Sequence, residues 1–120
     1  MTPPTPSGRT LELNGLRIHY LDWGAPTAAP VVCVHGYTSS CQAFNAPARH
    51  FQDRFRLIAP DVRGHGESAW APTGAYQYGD QAGDLAALVD KLALGRFTLI
   101  GTSMGGIIAM ASPRHRRSAW

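Results

Sequence analysis

The chain has 120 residues, of which 44% are hydrophobic and 16% charged, and its formal net charge is +3 at pH 7. This length and composition predict one globular domain with a modest core. No stretch reaches the ~18 consecutive apolar residues of a membrane span, so a membrane protein is not expected. The excess positive charge lies in residues 112–120, which contain three arginines and no acid. A nucleic-acid partner is therefore not expected either, because it would require a basic face spread over the fold.

The two cysteines and the amino terminus bear on the location of the protein. Cys33 and Cys41 have neither metal-ligand nor disulfide-framework spacing, which favours a reducing cytoplasmic location. Residues 1–9 lack the charged and apolar regions of a signal peptide and predict a disordered lead-in. No histidine–carboxylate cluster has zinc spacing, and no glycine pattern matches a phosphate-binding loop, so we expect no metal and no cofactor.

The first part of the chain predicts a hairpin and then alternating elements. Strands over 11–13 and 16–23 are joined by Asn14-Gly15, a strong signal for a hairpin turn. The apolar run 31–34 predicts a strand that is buried on both faces. A helix over 41–51 follows, in which Pro47 favours a break or a second start. The remaining predicted elements are a strand over 55–60, a helix over 77–94 that ends at Gly95, a strand over 97–100 and a helix after 103.

This order of elements indicates an α/β fold. Strands that alternate with helices predict a mostly parallel sheet, here of about five strands, with helices on both faces. Ligands of such sheets bind at the carboxyl ends of the strands. Three glycine-marked segments follow predicted strands, namely His35-Gly36, residues 61–68 and Gly101–Gly105. We therefore expect these three loops to meet at one rim and to form a site there.

The segment Gly101–Gly105 has the pattern G-x-S-x-G between a predicted strand and a predicted helix. In that context the pattern indicates a nucleophile elbow, with Ser103 at the tip of a sharp turn. Gly101 and Gly105 would remove Cβ atoms that would otherwise clash at this turn. The simpler alternative is an ordinary strand-to-helix turn in which the serine caps the helix.

With His35-Gly36-Tyr37, the segment DVRGHGES at 61–68 and the elbow in this order, the chain resembles the α/β-hydrolase fold family. The resemblance covers about residues 10–111, the amino-terminal part of that fold, and is strongest to small serine esterases, lactonases and haloperoxidase-like members. It implies a hydrolase that acts on esters, lactones or similar small acyl substrates.

The resemblance also implies the role of individual residues. Ser103 would be the nucleophile, and the backbone N–H groups of Tyr37 and Met104 would stabilise the oxyanion. His35, Gly36, Gly101 and Gly105 would support the two loops that carry these groups. His35 and His65 would shape their loops through hydrogen bonds.

In that family the triad acid and histidine follow the serine, so both would lie beyond residue 120. Ser112-Pro113 disfavours continuation of the last helix. We therefore expect residues 112–120 to be an aberrant basic tail that arose by a frameshift or an early stop. Two alternatives to an active enzyme remain: a catalytically inactive remnant or ligand-binding pseudoenzyme, and a module whose tail arginines bind an acidic partner.

Several charged residues have simpler interpretations than catalysis. Asp61 is expected to pin its own loop rather than to orient a histidine. Arg63 could bind a carboxylate substrate, although an internal salt bridge is favoured. The helix predicted over 77–94 carries acids that are expected on a solvated face, namely Asp80, Asp84 and Asp90.

Overall fold

A computed structural model describes residues 6–111 of the chain. They form one five-stranded sheet with helices on both faces. The elements in chain order are β1 (Ser7–Leu13), β2 (Leu16–Trp23), β3 (Ala29–Val34), a 3₁₀ helix (Cys41–Phe44), α1 (Asn45–Phe51), β4 (Phe55–Pro60), α2 (Tyr78–Lys91), β5 (Thr98–Gly101) and α3 (Met104–Met110). The predicted α/β class and the number of strands are confirmed.

The sheet is mixed, with the strand order β1-β2-β4-β3-β5. The pairs β1–β2 and β2–β4 are antiparallel, whereas β3 is parallel to both of its neighbours, β4 and β5. The parallel part of the sheet therefore places the ends of β3, β4 and β5 at one rim, where the three glycine-marked loops follow them. Within residues 6–111, β5 pairs with β3 alone and forms one edge of the sheet.

The alternation of side chains along β3 separates two layers of core. Val32 and Val34 pack with apolar residues of α2, β5 and α3 on one face. Val31 and Cys33 pack on the other face with the 3₁₀ helix, α1 and β4. Because both faces of β3 are covered, its apolar run has no polar alternation, as predicted for a strand buried on both sides.

Several predicted boundaries differ from the structure. β3 begins at Ala29 rather than at residue 31, α2 spans Tyr78–Lys91 rather than 77–94, and β5 spans Thr98–Gly101 rather than 97–100. β1 begins at Ser7, and the pairing of Ser7 with Asp22 shows that residues 7–9 belong to the hairpin rather than to a disordered lead-in. These residues are exposed, so the ladder of backbone hydrogen bonds, not burial, defines the strand there. Residues 1–5 and the predicted basic tail at 112–120 lie outside the described residues.

The helix predicted over 41–51 is divided into two at Asn45, where α1 begins. Pro47 lies in the first turn of α1, where a missing N–H costs no helical hydrogen bond. The predicted second start is thus confirmed. In the described part of the chain the longest helix is α2, with 14 residues, and no helix there has the length and apolar character needed to cross a membrane.

Candidate active site

Ser103 lies at a sharp turn between β5 and α3, as the sequence predicts for an elbow. Its backbone has φ 55 and ψ −116, a conformation with positive φ that residues with a side chain rarely adopt and that stores strain. The Ser103 side chain makes no capping hydrogen bond to the helix, and the residue is exposed. The interpretation of Ser103 as an ordinary N-cap is therefore wrong.

The two flanking glycines are required by close backbone packing at this turn. A Cβ atom on Gly101 would lie 2.5 Å from the carbonyl oxygen of Gly105. A Cβ atom on Gly105 would overlap the backbone of Val34 and would lie 2.7 Å from the carbonyl oxygen of His35. The start of α3 thus rests directly on the end of β3, and this contact confirms the predicted steric role of both glycines.

The Gly36–Tyr37 segment lies against the elbow. A Cβ atom built on Gly36 would lie 3.3 Å from the carbonyl oxygen of Thr102 and 3.4 Å from the Cβ atom of Ser103. The backbone N–H of Thr102 donates to Val34 at 3.1 Å and ties the elbow to the end of β3. The loops after β3 and β5 are therefore in contact beside Ser103.

Two backbone N–H groups flank this contact. Among the hydrogen bonds of residues 6–111, none uses the N–H of Tyr37 or of Met104 as a donor. The hydroxyl of Ser103 is likewise without a histidine or carboxylate partner in this part of the chain. The site thus holds a free hydroxyl and two free N–H donors on neighbouring loops.

His35 is completely buried and joins the loop after β3 to the loop after β4. Its Nε2 atom accepts a hydrogen bond from the N–H of Val62 at 3.0 Å, and its Nδ1 atom lies 2.7 Å from the carbonyl oxygen of Gly36. Burial lowers the pKa of His35 below its ordinary value and favours the neutral ring. These contacts give His35 the loop-shaping role that the sequence predicts.

Asp61 connects three segments through its buried carboxylate. It accepts hydrogen bonds from the backbone N–H groups of Cys41 at 2.7 Å and Glu67 at 3.0 Å, and it lies 2.9 Å from Nδ1 of His19. Burial opposes ionisation, but these hydrogen bonds outweigh it and hold the pKa of Asp61 below its usual value. Asp61 therefore pins its loop as predicted, and it also contacts a histidine, contrary to expectation.

The potential metal-ligand atoms of His19, Cys41 and Asp61 lie within 4.8 Å of one another, and all three residues are buried. Such a cluster could hold a metal ion if its ligands were free. The carboxylate of Asp61, however, already accepts three hydrogen bonds. Burial, followed by the nearby Asp61 charge, raises the pKa of Cys41 to about 12, so that the thiol stays protonated. We assign this cluster to hydrogen bonding that joins β2 and the start of the 3₁₀ helix to the loop after β4.

Arg63 forms a bidentate ion pair with Asp84 on α2. Its Nε and Nη2 atoms each donate to a different carboxylate oxygen at 2.7 Å, and its Nη1 donates to the carbonyl oxygen of Ala75 at 2.9 Å. The internal salt bridge is thus confirmed for Arg63. The solvated face predicted for Asp84 is wrong, because Asp84 is only 7% exposed and lies beside the apolar residues of α2 that pack on the sheet.

An open cleft of about 580 Å³ lies at this rim. Its walls include both residues with free N–H groups, Tyr37 and Met104, together with Tyr76, Tyr78 and His65. The His65 ring packs edge-on against Tyr37, with ring centroids 5.9 Å apart. Residues of all three predicted loops therefore line one cleft, and Met104, which follows Ser103 directly, is among them.

Sequence reasoning missed two members of this arrangement. His19 lies on β2 and belongs to no motif, and its partner Asp61 is distant in sequence. In the structure the run Ile18-His19-Tyr20 is buried. In the sequence it reads as an ordinary strand segment, and nothing in it indicates a contact between His19 and Asp61. Tyr76 was missed as well, although its ring packs so closely on Gly64 that a Cβ there would lie 2.7 Å from it.

The model of the α/β-hydrolase fold family matches residues 29–113 of the chain. The chain belongs to this family. Two α/β-hydrolases that are similar to it are named for the cleavage of different kinds of bond. A 3-hydroxybutyrate-oligomer hydrolase of Cupriavidus necator is 35% identical over 96 residues, which cover 78% of this chain and 33% of that protein. Haloalkane dehalogenase 2 of Mycobacterium tuberculosis is 36% identical over 95 residues, covering 79% and 32% respectively.

Solved structures of α/β-hydrolases also superpose on the described fold. The crystal structure of an epoxide hydrolase from Vigna radiata matches with a TM-score of 0.87 and 25% identity, covering 96% of this chain and 37% of that chain. The present chain thus spans about a third of the length of the relatives that it matches. It corresponds to an amino-terminal portion of the α/β-hydrolase fold.

Proposed function

We propose that this α/β-hydrolase domain belongs to a serine hydrolase in which Ser103 attacks the acyl carbon of esters, lactones or similar small acyl compounds. The observation that carries the proposal is the exposed, strained Ser103 beside two free backbone N–H groups, those of Tyr37 and Met104. An exposed serine hydroxyl with N–H donors nearby is one part of the arrangement that serine hydrolases use for acyl transfer, the other being a general base.

The proposed reaction follows from the charges that develop. Attack of the Ser103 oxygen on an acyl carbon moves negative charge onto the carbonyl oxygen of the substrate. The N–H groups of Tyr37 and Met104 would bind that oxygen, and removal of one such donor typically costs about 3 kcal/mol of transition-state stabilisation. The serine proton must pass to a general base, which the proposal assigns to a part of the fold outside residues 6–111.

The alternative is a catalytically inactive remnant or a pseudoenzyme that binds a ligand in the same cleft. It is favoured by the absence of a histidine or carboxylate partner for the Ser103 hydroxyl within the described residues. An oxyanion site without a base retains only a small fraction of the activity of a complete triad.

A small-molecule acyl substrate is the proposed partner, and neither nucleic acid nor a membrane is part of the proposal. We place the protein in the cytoplasm, where the free thiols of Cys33 and Cys41, both buried, would remain reduced.

The test compares the chain with two serine variants. A fluorophosphonate probe and an activated acetate ester are offered to the wild type, to Ser103→Ala, and to Ser39→Ala as a control from the same rim. Because the proposed base lies outside residues 6–111, we expect a slowly formed phosphonyl adduct on Ser103 in the wild type and in Ser39→Ala, and none in Ser103→Ala. Equal ester turnover by the wild type and Ser103→Ala, with no adduct, would exclude catalysis by Ser103 in this chain and favour the inactive remnant or pseudoenzyme.

A further inference from the structure

The hydrogen bonds of His35 define which of its nitrogens carries the proton. The N–H of Val62 can only donate, so Nε2 of His35 must be the unprotonated acceptor of their 3.0 Å bond. In a neutral imidazole the other nitrogen then carries hydrogen. Nδ1–H therefore donates to the carbonyl oxygen of Gly36 at 2.7 Å.

This contact acts on the peptide unit that joins Gly36 to Tyr37. A trans peptide is planar, and its C=O and N–H point in opposite directions. The Gly36 carbonyl accepts from Nδ1–H of His35 and, at 3.2 Å, from the N–H of Ser39. Two donors on the carbonyl therefore determine the plane of the peptide and, with it, the direction of the Tyr37 N–H.

We propose that the Nδ1–H group of His35 is a positioning group that aims the N–H of Tyr37 at the oxyanion beside Ser103. This inference rests on the proposed function for the role of that N–H, but the orientation of the peptide can be measured without catalysis. His35 itself does not touch the substrate, because it is completely buried and its ring nitrogens are both engaged by backbone.

The other end of the same loop is held separately. The N–H of Cys41 donates to the Asp61 carboxylate at 2.7 Å, and Val62, whose N–H donates to Nε2 of His35, follows Asp61 directly in the chain. The segment between Gly36 and Ser40 is thus held at both ends by adjacent residues of one loop. The contact made by His35 is the one next to the Gly36–Tyr37 peptide, so variants of His35 test the proposal.

Two amide variants separate the two hydrogen bonds of His35. In His35→Asn the side-chain amide lies at the δ position and can still donate to Gly36. In His35→Gln it lies at the ε position and can still accept from Val62. If His35 only joins the two loops through Val62, His35→Gln should preserve its role better than His35→Asn. If His35 positions the Gly36–Tyr37 peptide, His35→Asn should preserve its role better.

Three measurements are made on the full chain: the ¹³C shift of the Gly36 carbonyl, the rate of Ser103 phosphonylation, and Tm. We expect His35→Asn to keep the carbonyl shift and to be labelled within about threefold of the wild-type rate. His35→Gln should move the shift and slow labelling at least tenfold, a part of the 100- to 1,000-fold effect of deleting an oxyanion donor. In the wild type, ¹⁵N shifts of the His35 ring should show hydrogen on Nδ1.

Several outcomes would overturn the proposal. One is a wild-type His35 ring that carries its hydrogen on Nε2. The others are a His35→Gln variant that keeps both the Gly36 carbonyl shift and the phosphonylation rate, and a His35→Asn variant that loses both. If the wild type is not labelled at all, the proposed function fails, while the carbonyl and ring shifts still decide whether His35 sets the peptide plane.

Discussion

The buried ion pair between Arg63 and Asp84 provides a stability test whose size follows from its geometry. Arg63 is 6% exposed and Asp84 is 7% exposed, and two hydrogen bonds of 2.7 Å join them. Replacement of Asp84 by alanine would leave a buried guanidinium with one remaining partner, the carbonyl oxygen of Ala75. A buried charge that loses its counter-ion costs about 3–5 kcal/mol.

For a domain of this size, that loss corresponds to a fall in Tm on the order of 10–20 °C. Urea unfolding followed by circular dichroism would measure the free energy of unfolding of Asp84→Ala. Asp90→Ala is the matched control, because Asp90 is an exposed acid on the same helix, and its removal should change the free energy of unfolding by no more than about 0.5 kcal/mol.

The double variant completes the comparison. When Arg63→Met is added to Asp84→Ala, the unpaired charge is removed, so the double variant should be no less stable than Asp84→Ala alone. Two results would refute this reasoning. One is a free energy of unfolding of Asp84→Ala within about 1 kcal/mol of that of Asp90→Ala. The other is a double variant whose loss of stability equals the sum of the losses caused by Arg63→Met and Asp84→Ala alone.

Three further predictions concern the elbow, the thiols and acid stability. Gly105→Ala should lower the free energy of unfolding, measured by urea titration, by several kcal/mol, because its Cβ would overlap backbone at the end of β3. Gly83→Ala is the control: its Cβ would make only an ordinary contact at 3.7 Å, so it should stabilise α2 by about 0.5–1 kcal/mol in the same titration. Burial raises the pKa of Cys33 and of Cys41 to about 12, so iodoacetamide at pH 8 should modify neither thiol until urea unfolds the chain; modification of the native chain would contradict this burial. The pKa of Asp61 is held below 3.8 by the hydrogen bonds that outweigh its burial, so its contribution to stability should be complete above pH 3.8 and lost as pH falls further; an Asp61→Asn variant with the same acid-dependent loss would show that other groups cause it.

The strands that sequence predicted best are those defined by local pattern. β2 and β4 have the predicted bounds because each is a mostly apolar segment whose ends are marked by turn residues. The first residues of β1 were missed because they are exposed on both sides and owe their strand conformation to pairing with β2. Such pairing depends on a partner strand and leaves no periodicity in the sequence.

The candidate site divides in the same way. Ser103, Gly101 and Gly105 were predicted because a steric requirement fixes their spacing within five residues. The environments of Asp84 and His19 were not, because each depends on a partner far away in the chain, Arg63 in one case and Asp61 in the other. Helical spacing alone could not show that Asp84 faces a cation rather than water.

The order of strands in the sheet has a consequence for folding kinetics. The hairpin of β1 and β2 closes through two residues, and such hairpins form in about 1–10 μs. β5 must instead find β3 after α1, β4 and α2 have intervened in the chain, and contacts of this kind form slowly. We therefore expect the turn at Ser103 to be completed late, since the contact of Gly105 with the end of β3 exists only once β3 and β5 have met.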